Sequence, residues 1–374
     1  MKILIIINYI GPIRVFLFNK IYDYLKKHNR NLKVVFLSES DKNRNWKREQ
    51  GMKFDYTILN NFAIREHGKD LNTFFINLGM IKLLKSENPD KIICFGWDHF
   101  AAYAANWWAR KNKKEFILWS GSTKYEPSWR RTLFGPLVKY IVKRSHKFLS
   151  YGTRSKEYLI SLGAPEKNVE IFYNTIDVDF FQEKIRSFTD NQKNELRKKI
   201  GIKTTKTILF SGRLIEMKGI FEMIVAFKEY LKKDSNTSLI LMGTGPDEEK
   251  LKEIIKKDNI KNVFFAGFVQ YKELYKYYGI SDLLLFPSRQ DIWGQVVNEA
   301  IACGLPVITT EKVGASADLI ENGKNGYIIR ENCAECISES IDNVFKKNIN
   351  KTNNSTQILE KIRVDNILKE ITIL

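Results

Sequence analysis

The sequence predicts an α/β protein built from two doubly wound parallel sheets in tandem. Short apolar runs alternate with helical segments along most of the 374 residues. Apolar runs without polar alternation are typical of parallel strands that are covered on both faces. Turns rich in glycine or small residues follow several of these runs, at the strand ends where such sheets bind ligands. The chain is long enough for two domains, each with its own core.

The composition is that of a globular protein, with 44% hydrophobic and 28% charged residues. No apolar run approaches the roughly 20 residues of a membrane span, and the apolar N-terminal run predicts a strand rather than a signal peptide. The four cysteines predict no disulfide framework. Cys333 and Cys336, the one close pair, are interpreted as small buried hydrophobic residues. We expect a protein of the reducing cytoplasm.

The net charge of +18 is distributed unevenly. Residues 1–180 carry 31 Lys and Arg against 17 Asp and Glu, whereas the remainder carries 30 against 26. A basic first half and a nearly neutral second half indicate an anionic partner for the first half. Nucleic acid, an anionic membrane surface and a pyrophosphate-linked acceptor all qualify. A Lys-rich codon bias without functional meaning is the remaining interpretation.

Residues 1–180 are predicted to form the first domain. Its first strand leads through Gly11 into a helix, and the strand that ends at Phe95 is followed by Asp98 and His99. Polar residues just after parallel strands indicate a ligand-binding edge. The predicted strands of this half are Lys2–Ile7, Leu32–Leu37, Lys91–Phe95, Glu115–Trp119 and Lys147–Tyr151.

Residues 181–350 are predicted to form the second domain, which begins with a polar linker region at 182–206. Three of its strand ends carry a glycine, at Gly212, Gly243 and Gly267. Glycine at these places lets a ligand or another backbone segment approach closely. The predicted strands are Thr207–Ser211, Ser238–Met242, Val263–Ala266, Leu283–Phe286 and a last one from Val307.

Residues 281–310 combine a buried strand, a loop, a helix that opens near Gly294 and a second strand. Asp291 lies on the loop at the start of this helix, and Glu299 lies within the helix. The N–H groups at a helix N-terminus and the helix dipole favour a phosphorylated ligand. This stretch therefore predicts a phosphate-binding site with two carboxylates beside it.

The same stretch resembles the E-x7-E signature of the retaining glycosyltransferases of family 4, which have the GT-B fold of two Rossmann-like domains facing each other across a cleft. A second segment, from Gly212-Arg213 to Lys218-Gly219, resembles the family's Gly-Arg and Lys-Gly pairs. Asp291 replaces the first glutamate of the signature and is shorter by one methylene. The matching residues are Pro287, Ser288, Trp293, Gly294, Glu299, Ala300, Gly304, Pro306 and Val307.

The resemblance implies a retaining glycosyltransferase that moves a sugar from a nucleotide diphosphate to a hydroxyl of a glycan. Arg213 and Lys218 would stabilise the negative charge that grows on the departing diphosphate. Glu299 would accept hydrogen bonds from both ribose hydroxyls. Asp291 would face the donor sugar, together with the backbone N–H groups of Trp293, Gly294 and Gln295. The nucleobase would contact Gly267 and Phe268, which follow the third predicted strand of the second domain.

The resemblance also assigns residues of the cleft wall and the acceptor side. Gly11 is expected to lie close to the diphosphate and sugar, and Gly243 to form part of the wall. Asp98 and His99 occupy the place of an acceptor-side polar residue, and which of the two faces the acceptor stays open. A C-terminal helix at 356–374 is implied to pack back on the first domain. Since no clustered His or other metal-ligand set is visible, we expect neither a metal nor a cofactor.

Basic residues recur on a predicted helix over 133–147. Lys139, Lys143 and Lys147 are spaced by four residues and therefore share one helix face, with Arg144 beside them. Such a face suits anionic lipid headgroups, and a solvated outer face is the alternative. We expect a lipid-linked glycan acceptor in cell-surface polysaccharide or lipopolysaccharide biosynthesis, and a peripheral enzyme at the inner face of the plasma membrane.

Two other functions stay open on the sequence. A sugar-nucleotide epimerase shares the fold, but it would need catalytic carboxylates and a His around the nucleotide, and the Gly-Arg and Lys-Gly pairs would be out of place. A nucleic-acid-binding protein would suit the net charge of +18. The sequence contains no nucleic-acid-binding motif, so we expect no nucleic acid partner.

Overall fold

A computed structural model describes residues 1–39, 51–59, 62–65, 73–126, 129–330, 332–349 and 356–374. They form two compact units, one of Met1–Asn174 with Val364–Leu374 and the other of Thr175–Arg363. Each unit contains a parallel sheet with flanking helices, which confirms the predicted fold class. Within these ranges no helix is both long and apolar enough to cross a membrane.

The first unit is built on nine strands within the described residues. They are β1 (Lys2–Tyr9), β2 (Asn31–Ser38), β3 (Asp55–Ile58), β4 (Phe62–Arg65), β5 (Thr73–Ile76), β6 (Lys91–Phe95), β7 (Glu115–Ser120), β8 (Lys147–Ser150) and β9 (Val169–Ile171). Strands β4 and β5 form an antiparallel pair. The others form one parallel sheet in the order β3-β2-β1-β6-β7-β8-β9, so their carboxyl ends share one edge.

Helices on both sides bury this sheet. In β1, Ile3 and Ile5 belong to the core beneath the first helix, whereas Leu4 and Ile6 belong to the core on the opposite face. Burial on both faces explains why the strand is apolar at consecutive positions. The helices that follow the strands of this unit are α1 (Pro12–Lys27), α2 (Met80–Glu87), α3 (Phe100–Lys111), α4 (Trp129–Arg144) and α5 (Thr153–Ser161).

The second unit has a six-stranded parallel sheet. Its strands are β10 (Lys206–Ser211), β11 (Thr237–Met242), β12 (Val263–Gly267), β13 (Leu283–Phe286), β14 (Val307–Thr310) and β15 (Gly326–Ile329). Their order is β12-β11-β10-β13-β14-β15, so the direction of winding reverses between β10 and β13. In open α/β sheets, ligands bind outside the carboxyl ends of the strands at such a reversal.

Nine helices accompany this sheet in the described part of the second unit. They are α6 (Val178–Ser187), α7 (Asp190–Ile200), α8 (Ile220–Leu231), α9 (Glu248–Lys257), α10 (Leu274–Gly279), α11 (Gln295–Ala302), α12 (Ser316–Leu319), α13 (Ala334–Lys346) and α14 (Thr356–Ile362). Helix α11 follows β13 and begins after Gly294, whose backbone is left-handed with φ 85°. A glycine adopts this conformation without a Cβ penalty.

The C-terminal segment is divided between the units. Helix α14 belongs to the second unit, whereas α15 (Val364–Glu370) belongs to the first. The buried side chains of Ile367 and Leu368 join the core beneath α1, and Lys20 of α1 pairs with Asp365 at 2.7 Å. The single helix expected over 356–374 is therefore two helices, and the second of them packs on the first unit.

A disulfide joins Cys333 and Cys336 at the start of α13, whereas Cys94 and Cys303 are free and buried. The interpretation of the close pair as two separate hydrophobic residues is therefore wrong. Cys333 is the N-cap of α13 and Cys336 lies in the first turn of the helix, and this arrangement brings their Cα atoms to 5.3 Å.

Candidate active site

The three glycines at the ends of β10, β11 and β12 meet at one edge of the second sheet. The Gly212 N–H donates to Met242 O at 2.9 Å, and the Gly243 N–H donates to Gly267 O at 2.8 Å. A Cβ atom added to Gly243 would lie 1.9 Å from Gly212 O. The loop after β11 can therefore pack this closely only without a side chain at Gly243, and the backbones of the three loops lie side by side at this edge.

The loop after β10 also packs against the loop after β13. The Arg289 N–H donates to Met217 O at 2.9 Å, and the buried Ser288 hydroxyl donates to the same carbonyl at 3.3 Å. Gly219 has φ 70°, and an added Cβ would lie 2.0 Å from Pro287 O. Two segments that are about 70 residues apart in sequence thus form one surface at the reversal of the sheet.

An ion pair joins the two loops. The Lys218 ammonium donates to Asp291 Oδ2 at 2.6 Å, and both side chains are mostly buried, with 18% and 23% exposed. The Trp293 N–H donates to the other oxygen, Asp291 Oδ1, at 3.1 Å. Lys218, Asp291 and the Trp293 N–H, which the sequence predicts to contact the phosphate and the sugar, therefore lie together and contact one another.

Arg213 lies on the same loop as Lys218. It follows Gly212 directly and is half-buried, and its carbonyl accepts a hydrogen bond from the Ile215 N–H at 3.0 Å. The structure thus brings Arg213, Lys218 and Asp291 to adjoining loops of the neighbouring strands β10 and β13. Two cationic side chains and one carboxylate at a strand edge can hold a phosphorylated ligand.

Trp293 fixes the start of α11. Its side chain is buried, and the indole N–H donates to Asn298 Oδ1 at 2.8 Å. A Cβ atom added to Gly294 would lie 2.6 Å from the Val313 side chain. The N-terminus of α11, with Gln295 as its first residue, is therefore anchored from both sides. Trp293 acts here through its buried ring, as a support for the loop.

Glu299 is buried inside α11. Its Oε2 accepts a hydrogen bond from the Tyr278 hydroxyl at 2.7 Å, and burial raises the pKa of its carboxyl group to about 7. The same Tyr278 hydroxyl also interacts with Ser211, at the end of β10. Tyr278 and Ser211 are absent from the residues predicted from sequence, because a tyrosine in a helix and a serine at a strand end look like core residues without their partners.

Phe268 follows β12 and is half-buried next to Gly267. Gly267 has φ 67°, and no atom of the described residues lies within 4 Å of a Cβ atom added there. The space beside Gly267 is therefore open, which suits the predicted contact of a nucleobase with the backbone of this segment.

In the first unit, Gly11 lies at the N-cap of α1, and no side chain caps it. Among the described residues, a Cβ atom added to Gly11 would meet only Tyr9, at 4.0 Å. The space that a ligand would need next to this residue is therefore present at the carboxyl end of β1.

His99 has a structural role in place of the predicted contact with an acceptor. It is buried, its Nδ1 accepts from the Ala102 N–H at 3.1 Å, and its Nε2 donates to Phe95 O at 3.0 Å. The ring thus caps α3, and burial lowers its pKa to about 4, so it is neutral. Asp98, by contrast, is exposed, and it alone of the two predicted residues is accessible to an acceptor.

The predicted basic face has a different composition in the structure. Lys139, Lys143 and Arg144 are exposed on α4, but the helix ends at Arg144. Lys147 lies in β8, pairs with Ile117 of β7 and lies 3.3 Å from Glu115. Its placement on the helix face is therefore wrong, whereas the predicted strand that begins at Lys147 is confirmed. The face also exposes Phe134, Leu137 and Tyr140.

No group of three or more His, Cys, Asp or Glu side chains within the described ranges could hold a metal ion. Asp177 and Asp179 are two residues apart, but they have structural partners. Asp177 caps α6 by accepting from the Phe180 N–H at 3.1 Å, and Asp179 pairs with Arg363.

Comparisons with known proteins agree with this geometry. Residues 192–361 match the family model of glycosyl transferases group 1. An uncharacterized glycosyltransferase of Methanocaldococcus jannaschii is 31% identical over 223 residues, which are 58% of this chain and 56% of that protein. The alpha-monoglucosyldiacylglycerol synthase of Acholeplasma laidlawii is 28% identical over 212 residues, 56% of this chain and 52% of that protein. The chain thus spans about half the length of these relatives.

A solved structure extends the likeness to the first unit. HepE of Anabaena, in complex with UDP and glucose, superposes with a TM-score of 0.75 at 16% identity, over 99% of this chain and 98% of that one. At this identity the likeness establishes the fold, which is the GT-B fold of two parallel-sheet domains. Residues 192–361 therefore resemble the glycosyl transferases group 1, in a chain that has the GT-B fold.

Proposed function

We propose that the chain is a metal-independent retaining glycosyltransferase, which transfers a sugar from a nucleotide-diphosphate sugar to a hydroxyl of a glycan acceptor. The observation that carries this proposal is the joined pair of loops after β10 and β13. They place Arg213, Lys218, Asp291 and the N-terminus of α11 at the reversal of the second sheet. This combination of cations, carboxylate and helix N-terminus suits a diphosphate with a sugar attached.

Charge development on the donor explains the residue types. When the bond between the sugar and the diphosphate breaks, negative charge grows on the departing diphosphate. Arg213 offers a planar fork of N–H donors and Lys218 a compact charge. Cations held in place before the reaction stabilise this charge without further reorganisation. In the proposed retaining reaction the acceptor hydroxyl attacks from the side of the leaving group, whose phosphate oxygen takes the proton.

The nucleoside is proposed to bind between β10 and α11. Glu299 presents a carboxylate, which matches the two neighbouring hydroxyls of a ribose. Tyr278 donates to Oε2 and so fixes the orientation of the group. HepE was solved with UDP, which makes uridine nucleotides the first donors to test.

A lipid-linked acceptor at an anionic membrane surface is the second part of the proposal. Relatives include a synthase of a glucosylated diacylglycerol and a capsular polysaccharide glycosyltransferase of Staphylococcus aureus. The basic and apolar residues exposed on α4 are of the kind that bind headgroups and acyl chains. We therefore place the enzyme in glycolipid or cell-surface polysaccharide synthesis, at the cytoplasmic face of the plasma membrane.

The test is a product analysis with UDP-, GDP- and ADP-sugars and a membrane lipid extract as the source of acceptor. Mass spectrometry should detect an acceptor that has gained one hexose or related sugar, and the product should form equally well with excess EDTA. Loss of all product under EDTA, with recovery on addition of Mg²⁺ or Mn²⁺, would overturn the metal-independent mechanism.

A further inference from the structure

The strongest unassigned feature of the first unit is Arg14, in the first turn of α1. Its Nη2 donates to the Tyr151 hydroxyl at 2.8 Å. The guanidinium carbon lies 5.1 Å from the centroid of the Phe95 ring and 5.7 Å from that of the Tyr151 ring. The guanidinium therefore contacts both aromatic rings, and these contacts together with the hydrogen bond hold its orientation.

One side of this guanidinium has no partner. Among the described residues, Nη1 of Arg14 is buried and makes no hydrogen bond, and the first turn of α1 contains no acidic residue. A buried donor without a partner is destabilising, and more so when it is charged. Such a cost indicates a site whose partner arrives from outside the chain.

The indole N–H of Trp119 is a second buried donor without a partner among the described residues. The indole of Trp119 is stacked on Phe95, with ring centroids 4.2 Å apart. Its Nε1 is buried and likewise lacks a partner within the described part of the chain. Arg14 and Trp119 therefore contact the same ring and both present unused N–H groups, to which only an acceptor of hydrogen bonds can bind.

The place of this cluster in the fold favours a ligand. Phe95 is the last residue of β6, Tyr151 follows β8, and Arg14 lies just after β1, so the cluster lies at the carboxyl edge of the parallel sheet. This edge is where such sheets bind ligands. Helix α1 has 16 residues, and its N-terminus adds positive potential for an anion.

We propose that Arg14 binds an anionic group, a phosphate or a carboxylate, of the acceptor. The inference rests on the proposed function, in which Arg213 and Lys218 of the second unit neutralise the donor diphosphate, so that Arg14 of the first unit is available to an anion of the acceptor. The first 180 residues contain 31 basic and 17 acidic residues, and an anionic acceptor would be a partner for this positive charge. The planar fork of an arginine matches the two oxygens of either group.

The experiment measures binding of three small probes, which are inorganic phosphate, methyl phosphate and glucuronate. The parent protein carries Arg213→Ala and Lys218→Ala, so that its phosphate binding does not arise from the proposed donor site. Addition of Arg14→Gln should lower the affinity for the probe that binds most tightly by about tenfold or more, the scale of a lost charge-assisted hydrogen-bond pair. The matched control, Arg110→Gln, removes an exposed arginine of α3 and should change nothing. Phosphate and glucuronate as separate probes distinguish the two anion classes.

Three outcomes would overturn the inference. The parent protein could bind none of the probes, or Arg14→Gln could bind them as tightly as the parent. Thirdly, Arg14→Gln in the otherwise unsubstituted chain could weaken the binding of a nucleoside diphosphate, which would assign Arg14 to the donor site. Binding of nucleotide sugars by the unsubstituted chain is measured separately, so a failure of the proposed function is distinguishable from a failure of this site.

A second measurement needs no variant. Phenylglyoxal modifies accessible guanidinium groups, and peptide mass spectrometry reports which arginine has reacted. Inorganic phosphate should protect Arg14 and leave Arg110 unprotected in the same sample. Equal labelling of Arg14 with and without phosphate and glucuronate would contradict the proposal even if Arg14→Gln failed to fold.

Discussion

Lys218 Nζ lies 2.6 Å from Asp291 Oδ2, so the residue expected on the donor diphosphate and the residue expected on the donor sugar contact each other. The pair connects the loops after β10 and β13, and the Trp293 N–H holds the second carboxylate oxygen at 3.1 Å. A bound diphosphate would compete with Asp291 for the ammonium. The carboxylate therefore keeps Lys218 in position before the donor binds.

The first prediction concerns the two cations. Arg213→Ala or Lys218→Ala should each lower turnover by about 100-fold or more, the usual scale for the loss of a group that stabilises transition-state charge. Folding should change little in Arg213→Ala, whereas Lys218→Ala should also lower stability, because it removes the partner of the mostly buried Asp291. Steady-state kinetics and thermal unfolding of each variant check this. Turnover like that of the unsubstituted enzyme in either variant would remove the residue from the diphosphate site.

The second prediction separates Asp291 from Lys218. Asp291→Asn keeps the shape of the side chain but removes its charge, so Lys218 becomes available to phosphate. Turnover should fall, because the sugar loses a partner, whereas the affinity for the nucleoside diphosphate should stay the same or rise. Calorimetric titration with the nucleoside diphosphate checks the second part.

Glu216→Gln is the matched control for Asp291→Asn. Glu216 is an exposed carboxylate on the same loop and pairs with Arg289, so its loss should leave both turnover and affinity unchanged. A nucleotide affinity that falls in Asp291→Asn as much as in Lys218→Ala would show that the pair acts as one unit, against the separate roles proposed here.

The sequence predicted the second unit well because its motifs are local. Arg213 and Lys218 follow one strand directly, and Asp291 and Glu299 follow another, so neighbouring parallel strands bring them to the same edge. The contacts Lys218–Asp291 and Tyr278–Glu299 could not be predicted, since they depend on how the loops and helices pack. Lys147 was misplaced because a spacing of four residues does not show where a helix ends, and the role of His99 depends on burial.

The third prediction uses the buried carboxyl group of Glu299. Its pKa in the folded chain is about 7, above the ordinary value of 4.5 for glutamate. The folded state therefore binds this proton more tightly than the unfolded state does. The corresponding stability is fully present below pH 4.5 and is lost as the pH rises through 7, by up to about 3 kcal/mol.

Glu299→Gln cannot lose this proton, so the stability of the variant relative to the unsubstituted chain should rise between pH 5 and pH 8. Chemical denaturation at several pH values measures the difference. Glu253→Gln, which alters an exposed carboxylate of α9, is the control and should show no such rise. The same Glu299→Gln substitution should raise the dissociation constant of the donor nucleotide, because an amide is a weaker acceptor for two ribose hydroxyls. A pH-independent difference in stability together with an unchanged nucleotide affinity would contradict the assignment.

The fourth prediction concerns α4 and the membrane. Replacing Lys139, Lys143 and Arg144 with Gln should weaken binding to anionic vesicles by about 100-fold, since each basic residue near such a surface contributes about 1 kcal/mol. Vesicle sedimentation at low and physiological salt measures this, and binding of the unsubstituted chain should fall as salt rises.

Lys147→Gln provides the control, because Lys147 pairs with Glu115 in the sheet and lies outside α4. It should bind vesicles like the unsubstituted chain. Leu137→Ser tests the apolar part of the same helix and should also reduce binding. Sedimentation that is unaffected by the triple substitution would make α4 an ordinary solvated face.

The central claim is that the second unit binds a nucleotide sugar and that the chain transfers the sugar with retention. The most direct measurement is a proton NMR time course of the enzyme with an α-linked UDP-sugar, and then with GDP- and ADP-sugars, in the presence of acceptor extract. The anomeric coupling constant of the first product formed should be that of an α-linkage. A β-linked first product, or no consumption of any donor in the panel, would contradict the account.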